Sequence, residues 1–267
     1  MVAATQRDQS ALIDLIGRSG RPALATWREL EVDRPPTTSF EPQMVADLPE
    51  PACRWLTHAI SPGTPLWQSV VLEMHGHLRI TAWLPFKAVQ LHAPPHGYVW
   101  AARAMAGPIP IVGYDRYTSD DAEMWWGLFG RVPLVHATGA DLNRAAAARA
   151  AIDAIFVPTA CIGSNVTWTE GTTRDSAVAE WHIGTDVQRC ELTVSADGSL
   201  SQVTMLRWAK PKGEEWGEYP FGGLLEGEVE CHGIRVPRRA RVGYFMGTKR
   251  WDQGEFFRAE ITSATYA

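Results

Sequence analysis

The strongest constraint on this chain is an apolar period of two that sets in near Leu66 and runs, with one break, to the C-terminus. Val70, Leu72, Met74 and Leu78 alternate with Val71, Glu73, His75 and His77, which is the pattern of a half-buried strand. The same reasoning predicts strands at 82–92, 98–105, 111–118, 122–129 and 131–137. After the break, further strands are expected at 164–169, 176–183, 187–195, 199–208, 222–231, 234–246 and 255–266. Gly107-Pro108-Ile109-Pro110 and Ala196-Asp197-Gly198 have the chemistry of tight turns, and Ser119-Asp120-Asp121 is placed at a hairpin tip. Short turns between strands imply an antiparallel meander.

Helical spacing is confined to three places. Residues 8–17 carry Ala11, Leu12, Leu15 and Ile16 on one face, and a connector containing Pro35 and Pro36 follows. Residues 49–60 place Trp55, Leu56, Ala59 and Ile60 together, with Pro49 and Pro51 suited to the first turn. Residues 140–156 are Ala-rich and stop before Pro158. The expected fold is therefore mainly β (α+β): about ten antiparallel strands in a strongly curled sheet, a half-barrel closed by three helices. Three helices cannot cover a flat sheet of that width, so the sheet must curl and a cavity must form on its concave side. Residues 1–39 read as an N-terminal helix and connector. Residues 40–267 read as one half-barrel domain with a helix insertion near 140–156.

Composition narrows the function. The formal net charge of −5 and the lack of a basic run argue against nucleic acid as a partner. Cys53, Cys161, Cys190 and Cys231 form no CxxC pair. The N-terminus lacks an apolar signal region, and no stretch is long enough for a membrane span. Free thiols and a cytoplasmic location are the resulting expectation. No phosphate-binding glycine loop, dinucleotide fingerprint or nucleophile elbow occurs, so no cofactor is expected. The chain holds 12 Trp, enough to build a bulky core or to line an apolar pocket.

Several segments carry a family resemblance. They are Ala93-Pro94-Pro95-His96-Gly97-Tyr98-Val99-Trp100, Gly113-Tyr114-Asp115-Arg116-Tyr117, Phe156-Val157-Pro158-Thr159-Ala160, Thr204-Met205-Leu206-Arg207-Trp208, Pro220-Phe221-Gly222-Gly223 and Arg250-Trp251-Asp252-Gln253-Gly254-Glu255-Phe256-Phe257-Arg258. Spread over roughly residues 40–264, they resemble a bacterial family defined only as a domain of unknown function. That family is similar to the bacterial lipoprotein carriers. The resemblance implies a half-barrel of antiparallel strands closed by helices, with an apolar cavity for acyl chains.

Two functional hypotheses follow. One is binding of a bulky hydrophobic small molecule or lipid in the cavity. The other is a cofactor-independent enzyme (an isomerase, cyclase or hydrolase) acting on an apolar substrate there. Asp115 is the candidate polar anchor or general base, with Arg103 and Arg207 as candidate partners; a structural ion pair between strands is the alternative. Arg207 suits either a substrate carboxylate or a cross-strand salt bridge. Trp100, Tyr114, Tyr117, Trp126, Trp168 and Trp208 are the candidate ligand-binding aromatics, with ordinary core packing as the competing role. Trp125 and Trp126 must face opposite sides of their strand. His75-Gly76-His77 has zinc-like spacing, but a hairpin centred near Thr81 puts Lys87 and Pro85 opposite the histidines, on a solvent face. No metal is therefore assigned. Cys161 has no histidine beside it in sequence.

Overall fold

The computed structural model describes residues 15, 20–31, 36–118, 121–184 and 186–267. The helix read at 8–17 lies outside them, apart from Leu15, as does the tip of the 119–121 hairpin at residues 119–120. Six strands precede the break: β1 (Val70–Arg79), β2 (Trp83–Ala93), β3 (Gly97–Ala106), β4 (Ile109–Thr118), β5 (Asp121–Leu128) and β6 (Val132–Ala137). Seven follow it: β7 (Val166–Glu170), β8 (Ser176–Ile183), β9 (Asp186–Val194), β10 (Leu200–Ala209), β11 (Gly217–Cys231), β12 (Ile234–Tyr244) and β13 (Glu255–Tyr266). They form one sheet in the order β6-β5-β4-β3-β2-β1-β13-β12-β11-β10-β9-β8-β7. The sheet thus has thirteen strands rather than about ten, because each segment with strand periodicity pairs separately. Both edge strands, β6 and β7, are short.

Three helices of two or more turns are described, and they differ from the expected three. Helix α1 (Arg21–Leu30) falls in the stretch read as a connector. Ala23, Trp27 and Leu30 lie on one of its faces and pack with Val99, Ala101, Val112 and Tyr114. Helix α2 (Glu50–Ala59) buries Trp55, Leu56 and Ala59. Helix α3 (Ala140–Ile152) runs on into a 3₁₀ turn at Asp153–Phe156. A single helical turn, Trp251–Gly254, leads into β13. None of the described helices is long and apolar enough to cross a membrane.

The curl follows from what α3 touches. It contacts β3, β4 and β5 on one arm of the sheet and β8, β9 and β10 on the other. In a flat sheet β4 and β9 would stand eight strand spacings apart, about 40 Å. A helix about 10 Å across reaches both arms only if they bend toward each other. Six buried alanines and Ile152 make α3 thin enough to lie deep between them. The main core sits here, on the concave side, with α2 and α3. Helix α1 instead covers a separate apolar patch on the opposite face, so only two of the helices close the half-barrel.

Gly76 marks the centre of the sheet, where β1 meets β13. A Cβ at this position would fall 1.9 Å from the Arg258 carbonyl oxygen. Gly76→Ala is therefore expected to cost about 1–3 kcal/mol, read as a lower urea midpoint with an unchanged slope. His75 and His77 flank it, both exposed on the side away from buried Met74. Among the described residues no group of three potential metal ligands is found.

Candidate functional site

Between the sheet and the inner side of α3 lies a cavity of about 220 Å³ open to water-sized molecules. Its walls include Met74, Trp100, Phe221, Tyr244, Phe256, Phe257 and Ile261, and its polar lining includes Gln90, Asp115, Arg149, Asp153 and Arg207. Strand parity explains the selection. On β4, Ile111, Asp115 and Tyr117 face the concave side, while Val112 and Tyr114 face α1. Register places Asp115 between Trp100 of β3 and Met124 of β5.

The partner of Asp115 is Arg149, which arrives from α3. Its Nη1 donates to Asp115 Oδ2 at 2.9 Å, and Trp126 Nε1 donates to Oδ1 at 3.2 Å. Gly113 lies across from Trp126, and a Cβ there would come within 2.4 Å of the indole, so glycine makes room for this ring. Arg149 Nε also donates to Asp153 Oδ2 at 3.3 Å, and Gln90 Nε2 donates to the same oxygen at 3.1 Å. The guanidinium carbon lies 4.6 Å from the Tyr98 ring centroid and 5.3 Å from that of Trp100. Burial pushes the Asp115 carboxyl above its ordinary range, while Arg149, the Trp126 N–H and Arg207 pull it back. Burial works against the Arg149 charge as well, but Tyr98, Asp153 and Asp115 outweigh it and leave its pKa raised. Burial also moves the Tyr98 phenol up to about 12, so it stays neutral.

Arg103 is not part of this cluster. It stands three residues from Trp100, an odd offset that turns it to the opposite face, where it donates to the Leu15 carbonyl. Arg207 does line the cavity, but among the described residues it forms neither a cross-strand salt bridge nor a hydrogen bond to Asp115. Its Nε and Nη2 donate to the Ala145 carbonyl of α3 at 3.3 and 3.2 Å, and its guanidinium covers Phe221.

Of the six candidate aromatics, Trp100 lines the cavity and Trp126 anchors Asp115. Tyr114 stacks on Trp125 under α1, outside the cavity. Tyr117 is buried beside Tyr98 in the core. Trp168 packs on Trp55 of α2 and donates to the Cys161 carbonyl, so α2 fills that end of the half-barrel. Trp208 donates to Asp141 at the start of α3 and stacks on Trp216. Cys161 is buried, and burial raises its thiol pKa well above the ordinary value, which keeps it protonated.

The fold and the site together define a helix-closed antiparallel half-barrel with an apolar cavity and one buried charge cluster. The chain belongs to the DUF6544 family of unknown function, whose model matches residues 38–256. Comparison with curated proteins gives no match. Among solved structures, the chain is similar to a domain assigned to outer membrane lipoprotein sorting from Vibrio parahaemolyticus. That similarity has 9% identity and a TM-score of 0.42, covering 82% of this chain and 92% of that one. It is also similar to a LolA superfamily protein from Nitrosomonas europaea, with 11% identity and a TM-score of 0.44, covering 83% of this chain and 94% of that one.

Proposed function

We propose that the chain binds a bulky hydrophobic small molecule or lipid in the cavity between the sheet and α3. The observation that carries this reading is the composition of the cavity wall. Phe221, Tyr244, Phe256, Phe257, Met74 and Ile261 offer a continuous apolar surface, with polar groups gathered near α3. Apolar pockets with a few convergent polar groups suit ligands of this kind. Asp115 is held on the cavity wall by Arg149 and the Trp126 N–H, one bond to each carboxylate oxygen, as a fixed polar group beside this apolar surface.

The test is a titration with N-phenyl-1-naphthylamine, a neutral fluorophore that brightens in apolar surroundings. Saturable binding is expected, and Ala259→Phe is expected to weaken it on the order of tenfold by filling the cavity wall. The variant's thermal midpoint serves as the control for folding. A normally folded Ala259→Phe protein that binds the fluorophore as the wild type does would place binding elsewhere.

A further inference from the structure

Arg207 differs from the other arginines of the cavity. Arg149 is held by Asp115 and Asp153, and Arg238 is paired with Glu260 at 2.8 Å. Arg207 has no carboxylate partner among the described residues. One edge of its guanidinium is fixed on the Ala145 carbonyl, and its central carbon lies 4.6 Å from the Phe221 centroid. Its Nη1 has no protein acceptor among the described residues. A guanidinium held rigidly by one edge, with donors left over on the other, is a prepared site for an acceptor oxygen.

The charge count decides what kind of oxygen. Asp115 and Asp153 face Arg149 and Arg207, two negative groups against two positive ones, and Arg238 and Glu260 cancel separately. Asp115 is counted with Arg149 because the two form an ion pair at 2.9 Å and Trp126 donates to the other carboxylate oxygen. Nearby His92 is wholly buried and neutral, and so is Tyr98. Arg207 thus serves as the counter-charge of the Asp115–Arg149–Asp153 group. A ligand carboxylate would leave this enclosed space with one net negative charge, which a low-dielectric site penalises heavily.

Resting on the hydrophobic-ligand reading above, we infer that the ligand is a neutral amphiphile. Its carbonyl or hydroxyl oxygen accepts a hydrogen bond from Arg207, and its apolar body lies along Phe221, Phe256 and Phe257. Fatty esters, ketones and alcohols belong to this class, whereas free fatty acids and alkylamines do not.

The test compares decane, decan-2-one and decanoate at neutral pH by displacement of bound N-phenyl-1-naphthylamine. Wild-type protein is expected to bind the ketone more tightly than decanoate. Arg207→Met is expected to shift the ketone-to-decane affinity ratio toward decane on the order of tenfold, the worth of one charge-assisted hydrogen bond. Asp153→Asn keeps the shape of the cluster and adds one net positive charge. It is expected to shift the decanoate-to-ketone ratio toward decanoate by a similar factor. An unchanged ketone-to-decane ratio in Arg207→Met would remove Arg207 as the anchor. Wild-type preference for decanoate, or an Asp153→Asn protein with unaltered selectivity, would overturn the charge argument. In those outcomes decane binding persists and the apolar-cavity reading stands. Failure of all three compounds to bind the wild type would sink both.

Discussion

Arg149→Met is expected to lower the free energy of unfolding by about 3–5 kcal/mol, the usual cost of removing one partner from a buried ion cluster. Methionine matches the length and apolar bulk of the arginine stem, so the loss reports on charge rather than on a void. Asp115 and Asp153 would be left facing each other's field without the guanidinium that now lies 2.9 and 3.3 Å away. The penalty should depend on pH in a definite direction. Burial already holds the Asp115 carboxyl above its ordinary range, and without the arginine that opposes burial it rises further. The folded variant then takes up protons before the unfolded chain does, so acid favours it. The stability gap between variant and wild type should therefore narrow as pH falls from neutral toward 4. Adding Asp115→Asn and Asp153→Asn to the arginine variant should recover much of the loss at neutral pH. Urea unfolding at pH 7 and pH 5 measures both effects. A variant within 1 kcal/mol of wild type at pH 7 would mean that water, not Arg149, solvates the carboxylates.

The strands were far more legible in the sequence than the site was. Alternation is a local signal, and register follows from it once a turn is placed. A hairpin at Thr81 requires Pro85 opposite His77, Lys87 opposite His75 and His92 opposite Val70, and these are the pairs observed. Asp115 was legible because a charge flanked by aromatics on a strand has few places to go. Its partner was not, because α3 crosses from one edge of the sheet to the other and nothing local shows where it comes to rest. A clue was present even so. Arg149 is the one polar residue in Ala145–Ile152, a stretch buried on nearly all sides, and a lone arginine there must find an anion. Arg103 and Tyr114 lie outside the cavity for a simpler reason. Each is an odd number of residues from a cavity-facing neighbour on its strand, so closeness in sequence puts it on the opposite face. Helix α1 was hidden by its shortness and by the prolines of the connector that follows it. Its burial comes from the convex face of a sheet that the local pattern does not locate.

His92 supplies the second large effect, a loss of stability of about 3 kcal/mol between pH 6.5 and pH 4. The imidazole lies on the concave face of β2, fully buried, with its centroid 6.4 Å from that of Tyr98. Neither ring nitrogen has a hydrogen-bond partner among the described residues, and the nearby Ala150 backbone makes no bond of normal geometry with it. Burial pulls its pKa down to about 4, against a modest opposing pull from Asp153. The unfolded chain protonates this histidine below pH 6.5, whereas the folded protein resists until about pH 4. Stability is thus complete above 6.5 and is lost as pH falls through that window. His92→Leu removes the titrating group at nearly constant volume. It also removes two polar atoms that burial leaves unsatisfied, so it should cost little at pH 7 or even stabilise. The decisive quantity is the difference between variant and wild type, in which the opposite acid response of Asp115 cancels. That difference should move in favour of His92→Leu by about 3 kcal/mol from pH 7 to pH 4. If it stays flat, the folded imidazole titrates near its ordinary value, and water or a polar group must reach the ring beneath α3.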